Sequence, residues 1–353
     1  MIRMRKLIIA FSFIIIMGLF IYASEKFAGT SSMDAYDATD LTGFVSKSSG
    51  LDFLPPLNKK KKQIMILAYW RSGSTFVSEI INHYPGTFYH YEPLQPVVGP
   101  TLVNKTMEHI AVKLLSDLFN CSYTRENLKW INLDKYRFFF QYNTRLRTSC
   151  HISPKLCFDA KFISAMCNQF PFQVIKVTRL TLEPTMQLLD QYPELKIIFL
   201  IRDPRGIMSS RMKLDWCRAS RSCIDPEILC SSMRQSIASL KVMNIKYPNR
   251  ILLVRYEDVA LYPEEKVKQI FKFLHLDVHE YVFEYLKSHT HLQHNETVSG
   301  PYTTKRDSKA NAFAWKSKLN FSDVVAIQSK CSDIITGLGH HLINNENELL
   351  IQK

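Results

Sequence analysis

From about residue 63 onward the chain alternates between two hydrophobic rhythms. Short apolar runs without in-out alternation, Ile64 to Trp70, Val174 to Thr178, Lys196 to Ile201 and Ile251 to Arg255, read as strands covered on both faces. Segments with helical spacing lie between them: Thr75 to His83, Leu182 to Gln191, Pro204 to Leu214, Pro226 to Lys246 and Pro263 to Leu274. This alternation predicts an α/β fold, a parallel sheet flanked by helices, with no internal repeat. Ligands of such sheets bind beyond the carboxyl ends of the strands, so the loops after the runs are where chemistry is expected.

The pattern ahead of this region is different. Arg3, Arg5 and Lys6 precede an uncharged apolar stretch from Leu7 to Ala23. That stretch exceeds a signal-peptide core of roughly 7–15 residues and reaches the short end of a membrane span. It predicts a transmembrane signal anchor over 7–23 with residues 1–6 cytoplasmic by the positive-inside rule; cleavage near Tyr22-Ala23-Ser24 is the alternative. Residues 24–62, rich in Ser, Thr, Asp, Gly and Lys, read as a stem, and 63–345 as a lumenal domain. Asn-x-Ser/Thr sequons at Asn104, Asn120, Asn295 and Asn320 all follow the anchor, as lumenal glycosylation requires.

The 8 cysteines fit up to four disulfides in that oxidising space. Local bridges are expected between Cys217 and Cys223 and within the cluster Cys150, Cys157, Cys167. Zinc is the rival reading, weakened because no CxxC pair occurs. A net charge of +13 points to anionic partners, either nucleic acid or an acidic small molecule or polymer. Without zinc-finger spacing, an RNP-like aromatic motif or a basic heptad region, nucleic acid is not expected.

The first apolar run breaks into Arg71-Ser72-Gly73-Ser74-Thr75-Phe76 and then enters a helix. Gly73 lets the backbone close around an oxyanion, toward which loop amides and the helix N-terminus point. A Walker A loop would end in Gly-Lys-Ser/Thr; here the Lys is missing and Arg71 offers the cation. The third run ends in Arg202-Asp203-Pro204-Arg205, with Ser210 two helical turns on, so Arg202 and Ser210 can converge on one phosphate. Arg255 with Glu257-Asp258 reads as a structural ion pair beneath the site. Trp315 and Lys316, after Lys305-Arg306 and Lys309, can close over a nucleotide by stacking and charge. Phe138-Phe139-Phe140 read as core.

Taken in order, RSGSTF, FYHYEP (Phe88 to Pro93), IKVTRL (Ile175 to Leu180), IRDPRGIMSSR, VRYEDVALYP (Val254 to Pro263) and SKANAFAWKSKL (Ser308 to Leu319) resemble the Golgi carbohydrate sulfotransferases. The resemblance runs from about Ile64 to about His340, and is closer to the branch that sulfates the 6-hydroxyl of galactose, N-acetylgalactosamine or N-acetylglucosamine. It implies a P-loop-like, PAPS-dependent sulfotransferase fold preceded by an N-terminal transmembrane helix. It also implies 3′-phosphoadenosine 5′-phosphosulfate (PAPS) as co-substrate, a glycan or glycosaminoglycan acceptor, and a type II place in the Golgi membrane.

By motif position the resemblance assigns the 5′-phosphosulfate to Arg71, Ser72, Gly73, Ser74, Thr75 and Phe76, and the 3′-phosphate to Arg202 with Ser210. Sulfuryl transfer needs an in-line hydroxyl, a base for its proton, and cations or amides for charge developing on the bridging oxygen; none of these needs calls for a metal. The tyrosylprotein sulfotransferases are similar in arrangement and place a catalytic Glu at the offset of Glu92, which Pro93 pins; His90 is the competing base. The family usually shows Trp-Arg where this chain has Trp315-Lys316, which puts a phosphate contact at 316 in doubt. Two other readings remain. A P-loop kinase or NTPase is opposed by the absent Gly-Lys-Ser/Thr and Walker B Asp, and a non-catalytic glycan-binding relative by retention of both loops and Glu92.

Overall fold

Strands Lys62–Ala68 (β1), Thr87–Tyr91 (β2), Phe172–Val177 (β3), Lys196–Ile201 (β4) and Ile251–Arg255 (β5) form one parallel sheet in the order β2-β3-β1-β4-β5. This computed structural model describes residues 61–131, 142–147, 158–290, 300 and 302–351. The chain divides into a unit Met1–Phe44 and a unit Val45–Lys353. The first lies outside the described residues, and with it the expected tail and anchor; so do most of the stem, Phe138 to Phe140, Cys150, Cys157 and Asn295. Among the described residues no helix is long and apolar enough to cross a membrane.

The central strand explains the uninterrupted hydrophobic run. Residues Ile64 to Ala68 of β1 are buried, with Met65 paired to Ile175 on one side and Ile197 on the other. Helices Ser74–Asn82 (α1), Pro204–Arg211 (α2), Pro226–Lys246 (α3), Tyr256–Leu261 (α4) and Phe321–Gly337 (α5) carry the parts of the fold that matter for the site. β4, β5 and α3 start and stop where the hydrophobic pattern puts them. The first strand lies two residues earlier than predicted, at Lys62–Ala68: Tyr69 and Trp70 stay buried after leaving the sheet, because the Tyr69 hydroxyl donates to α3 at Ser232 O and the Trp70 indole to Cys223 Sγ. The predicted helix from Leu182 opens as a 3-10 turn, Glu183–Thr185, and is α-helical only over Met186–Gln191.

β2 is an element the pattern did not predict. Its Thr87 and His90 break the apolar run, and both are nevertheless buried at the edge of the sheet. The helix caps follow the usual chemistry: Asp203, Asp225 and Asn320 accept backbone N–H bonds at the starts of α2, α3 and α5. α1 differs, since its cap is Gly73 and no side chain answers its first amides.

Three disulfides occur among the described residues. Cys217–Cys223 is the expected local bridge, and Cys230–Cys331 ties α3 to α5. Cys167 departs from its expected cluster and joins Cys121, because the helix Ala160–Asn168 leads it under the turn that follows Phe119. The sequon residues Asn104, Asn120 and Asn320 are all exposed. Cys230–Cys331 closes a separation of 101 residues, so a Cys230→Ser/Cys331→Ser variant should lose about 2–4 kcal/mol in urea unfolding without reductant. An unchanged midpoint would show that α5 is held by packing alone.

Candidate active site

β1 and β4 are neighbours in the sheet, so the loops at their carboxyl ends open side by side. After β1 the backbone takes two left-handed residues, Arg71 at φ 72° and Gly73 at φ 87°, before α1 begins. A Cβ on Gly73 would lie 2.3 Å from the ring of Tyr256, so this position demands glycine for space as well as for φ. The Ser72 hydroxyl is buried without a hydrogen-bond partner. The loop thus presents uncapped helix amides, a curled backbone and a flanking cation, the physical requirements of an anion site.

α2 meets this loop directly. The Arg71 Nε–H donates to Ser210 Oγ at 2.9 Å, and Arg202 donates to the carbonyls of Arg71 at 3.2 Å and Asn311 at 3.3 Å. Arg202 also stacks on Tyr256, 4.3 Å from guanidinium carbon to ring centroid, and its Nε–H is buried without a partner. The two loops open into one cleft of about 1070 Å³. Arg71, Gly73, Ser74, Thr75, Phe76, Glu92, Arg202 and Ser210 line it; Ser72 lies behind the wall.

Glu92 follows β2 at φ 44°, an unusual backbone for a side chain with a Cβ. Its carboxylate is clamped by two cations from the adjoining β3 edge: Lys176 Nζ at 2.9 Å and Arg179 Nη1 at 2.5 Å. Burial alone would raise its pKa, but Lys176 and Arg179 outweigh burial and pull it down to about 2. Lys176 is fully buried, sits 3.7 Å from the centroid of the Tyr91 ring, and also donates to Thr75 Oγ1 at 2.9 Å. The phosphate-type loop therefore receives from β3 the ammonium that its own sequence lacks. Lys176 is a functional candidate the motif reading missed, although a Lys inside the run Phe172–Val177 was a visible signal.

Lys213 and Lys318 escaped notice; they gather beside Arg202 and Arg306 from distant segments. Burial lowers the Lys318 pKa, and Lys213, Arg306 and Arg202 lower it further; all four line the cleft. Like charges gathered beside a cavity are what an anionic ligand would neutralise.

Other expectations change. His90 points away from the cleft on the opposite face of β2 from Tyr91. It is buried against Tyr123 and Val174 O, and burial lowers its pKa to about 3. Lys316 does not line the cleft, whereas Trp315 does, buried under the Arg205 guanidinium. Arg255 pairs with Asp258 at 3.6 Å, but Glu257 turns inward and accepts the Asp203 N–H at 3.0 Å.

Two buried carboxyls face the opposite way from Glu92 in their titration. Burial raises Glu79 to about 7, against the pull of an Asn82 hydrogen bond, and raises Glu257 to about 7 against Arg202 and the Asp203 N–H. A raised carboxyl contributes stability that is full below its unfolded pKa near 4.5 and is lost as pH rises through about 7. Glu92, being depressed, contributes stability above that value and loses it only as pH falls toward about 2. Glu79→Gln should therefore remove part of the loss of stability between pH 5 and 8, on the order of 3 kcal/mol at most. Denaturant titrations at both pH values decide this; a variant whose decline matches wild type would show that Glu79 titrates as an ordinary exposed carboxyl.

Comparison with known proteins agrees with this geometry. Residues 61–339 match the family described as "Sulfotransferase domain". The chain is similar to carbohydrate sulfotransferase 1 of Danio rerio, 26% identical with 83% of this chain and 81% of that protein covered. It is also similar to human (Homo sapiens) carbohydrate sulfotransferase 6, at 25% with 83% and 84% covered. Among solved structures, the sulfotransferase domain from the curacin biosynthetic pathway aligns over 81% of this chain and 99% of that one, at 19% identity and a TM-score of 0.47. With the family match spanning most of its length, the chain belongs to the sulfotransferase-domain family.

Proposed function

We propose that this chain transfers a sulfuryl group from PAPS to the 6-hydroxyl of a galactose, N-acetylgalactosamine or N-acetylglucosamine residue in a glycan or glycosaminoglycan. The names of the similar proteins support a carbohydrate acceptor. The cleft suits an anionic donor: Arg71, Arg202, Lys213, Arg306 and Lys318 line it, and Lys176 stands behind its loop through Thr75. In this reading Arg71, Ser72, Gly73, Ser74, Thr75 and Phe76 hold the 5′ end, and Arg202 with Ser210 the 3′-phosphate. PAPS, when bound there, supplies the activated sulfuryl group.

The observation that carries the mechanism is that one ammonium, Lys176, touches both Thr75 of the loop and the carboxylate of Glu92. At a pKa of about 2 Glu92 is ionised at any working pH but is a weak base. Negative charge held at the loop competes for Lys176. The share of that charge which Glu92 loses raises its basicity toward what removal of a hydroxyl proton in the transition state requires. Arg179 keeps the carboxylate fixed meanwhile, and its Nε–H holds the Gly99 carbonyl at 2.6 Å, which positions the cleft wall beside it.

The anchor and the compartment are part of the same proposal: a single-pass type II protein of the Golgi membrane with this domain in the lumen. Its support is the charge and hydropathy of residues 1–23, the exposed sequons and the disulfides. Protease added to sealed microsomes should spare everything after about Ser24, and glycosidase should lower the mass; digestion of the domain in intact vesicles would reverse the orientation.

The catalytic test uses labelled PAPS and a panel of desulfated chondroitin, desulfated keratan and simple N-acetylglucosamine acceptors. Arg71→Ala and Arg202→Ala should each weaken adenosine 3′,5′-bisphosphate binding by about 1.5–3 kcal/mol in calorimetry. Glu92→Gln should keep that binding while kcat falls roughly 10²–10⁴-fold. Its folded fraction must be checked, because Gln leaves two buried cations without their counter-charge, a loss of about 3–5 kcal/mol in the usual case. A folded Glu92→Gln protein turning over at the wild-type rate would remove Glu92 from the chemistry.

A further inference from the structure

Most aromatic side chains that line the cleft are covered. Trp70, Phe76, Tyr256 and Trp315 are buried, and Tyr91 and Tyr142 are half-buried. Trp216 and Tyr302 are the exceptions among the described residues, at 39% and 57% exposure. They are joined at their polar edges, the indole N–H donating to the Tyr302 hydroxyl at 2.9 Å, and both rings keep part of their surface exposed.

The position of the pair is fixed from three sides. Trp216 sits in the short helix Asp215–Arg218, beside Cys217, whose partner Cys223 accepts from the Trp70 indole just ahead of the phosphate-type loop. The same disulfide loop reaches the far wall, where Ser222 Oγ donates to Pro100 O at 2.9 Å, next to the Gly99 carbonyl held by Arg179. Tyr302 in turn lies 5.4 Å from the Arg71 guanidinium. The pair is thus tied both to the loop proposed for the phosphosulfate and to the clamp on Glu92.

We propose that Trp216 and Tyr302 form a stacking platform for a pyranose ring of the acceptor glycan. This rests on the reading of the cleft as a carbohydrate sulfotransferase site and assigns part of its acceptor subsite. A pyranose offers an apolar C–H face that stacks on an aromatic plane while its hydroxyls stay in water. An exposed aromatic surface held rigid at the mouth of a polar cleft is suited to that partner.

The test measures two bindings and one turnover in Trp216→Ala and Trp216→Phe, with desulfated keratan and chondroitin oligosaccharides as probes. Trp216→Ala should raise the KM and Kd of whichever oligosaccharide the wild type uses by about tenfold or more, about 1.4 kcal/mol, with adenosine 3′,5′-bisphosphate affinity within about twofold. Trp216→Phe, which keeps a ring and loses the N–H, should recover most of the oligosaccharide affinity. Unchanged oligosaccharide affinity in Trp216→Ala overturns the platform, as does a tenfold loss of nucleotide affinity, which would make the pair an adenine contact. Should the wild type bind an oligosaccharide yet transfer no sulfate, the enzymatic reading fails while the binding arm still decides the platform. Absence of any oligosaccharide binding by the wild type overturns the platform itself.

Discussion

The arrangement of this cleft depends on a fully buried lysine. Lys176, the penultimate residue of β3, has none of its side chain exposed, and an ammonium taken out of water costs several kcal/mol unless an opposite charge meets it. Glu92 is that charge, and the fold accepts an awkward backbone to deliver it: φ is 44°, with the Glu92 N–H held by Lys176 O at 3.1 Å and its carbonyl accepting from Gln95. The register Tyr91↔Lys176 brings the two within reach, and the turn at Glu92 completes the meeting. β2 therefore exists at the sheet edge as the arm that carries the carboxylate to the ammonium. Thr75 and the face of Tyr91 complete the surroundings of Lys176 and join the first turn of α1 to the same charge.

Behind Arg202 lies a second buried network with a different task. Asp203 caps α2 and accepts from the Arg205 side chain, and Arg205 reaches on to Gln328 of α5 and the carbonyl of His341. Glu257, on α4, accepts the Asp203 N–H. These bonds fix the start of α2, and with it Arg202, from three separate parts of the chain. Cys230–Cys331 then keeps α5 against α3, so the network is backed by a covalent tie. A cation meant for a ligand needs such support, because without it the guanidinium would relax toward solvent or toward the nearest carboxylate.

Much of this was legible in the sequence where chemistry is local. The loop after β1 and the segment Arg202 to Ser210 each follow an apolar run, and a parallel sheet brings the ends of neighbouring strands together without further information. The Ser210 hydroxyl, which the sequence reading put with Arg202, accepts from Arg71 at 2.9 Å. What stayed hidden was set by pairing across the chain. β2 was obscured because its polar residues are buried by partners that no local pattern shows, Tyr123 for His90 and Ile81 O for Thr87. The Cys121–Cys167 bridge and the cations Lys213 and Lys318 depend likewise on contacts between distant segments. Lys176 stands between these cases, since its place in a buried strand was readable while its partners were not.

The balance of charge gives the ligand-free cleft an energetic bias. Arg71, Arg202, Lys213, Arg306 and Lys318 crowd its walls, and Glu92, the carboxylate lining it among the described residues, is already committed to Lys176 and Arg179. Burial lowers the Arg71 pKa, Tyr302 and Tyr91 oppose it, and Arg306 and Arg202 add smaller lowering, so like charges repel at this wall. Such repulsion is relieved by whatever anion enters, and the relief appears as binding energy and as added stability of the fold. The same feature limits what can bind, because a neutral ligand would leave the repulsion in place. On the proposed reading, charge selects the donor, while the exposed Trp216 and Tyr302, uncharged themselves, leave the choice of the acceptor to shape and stacking.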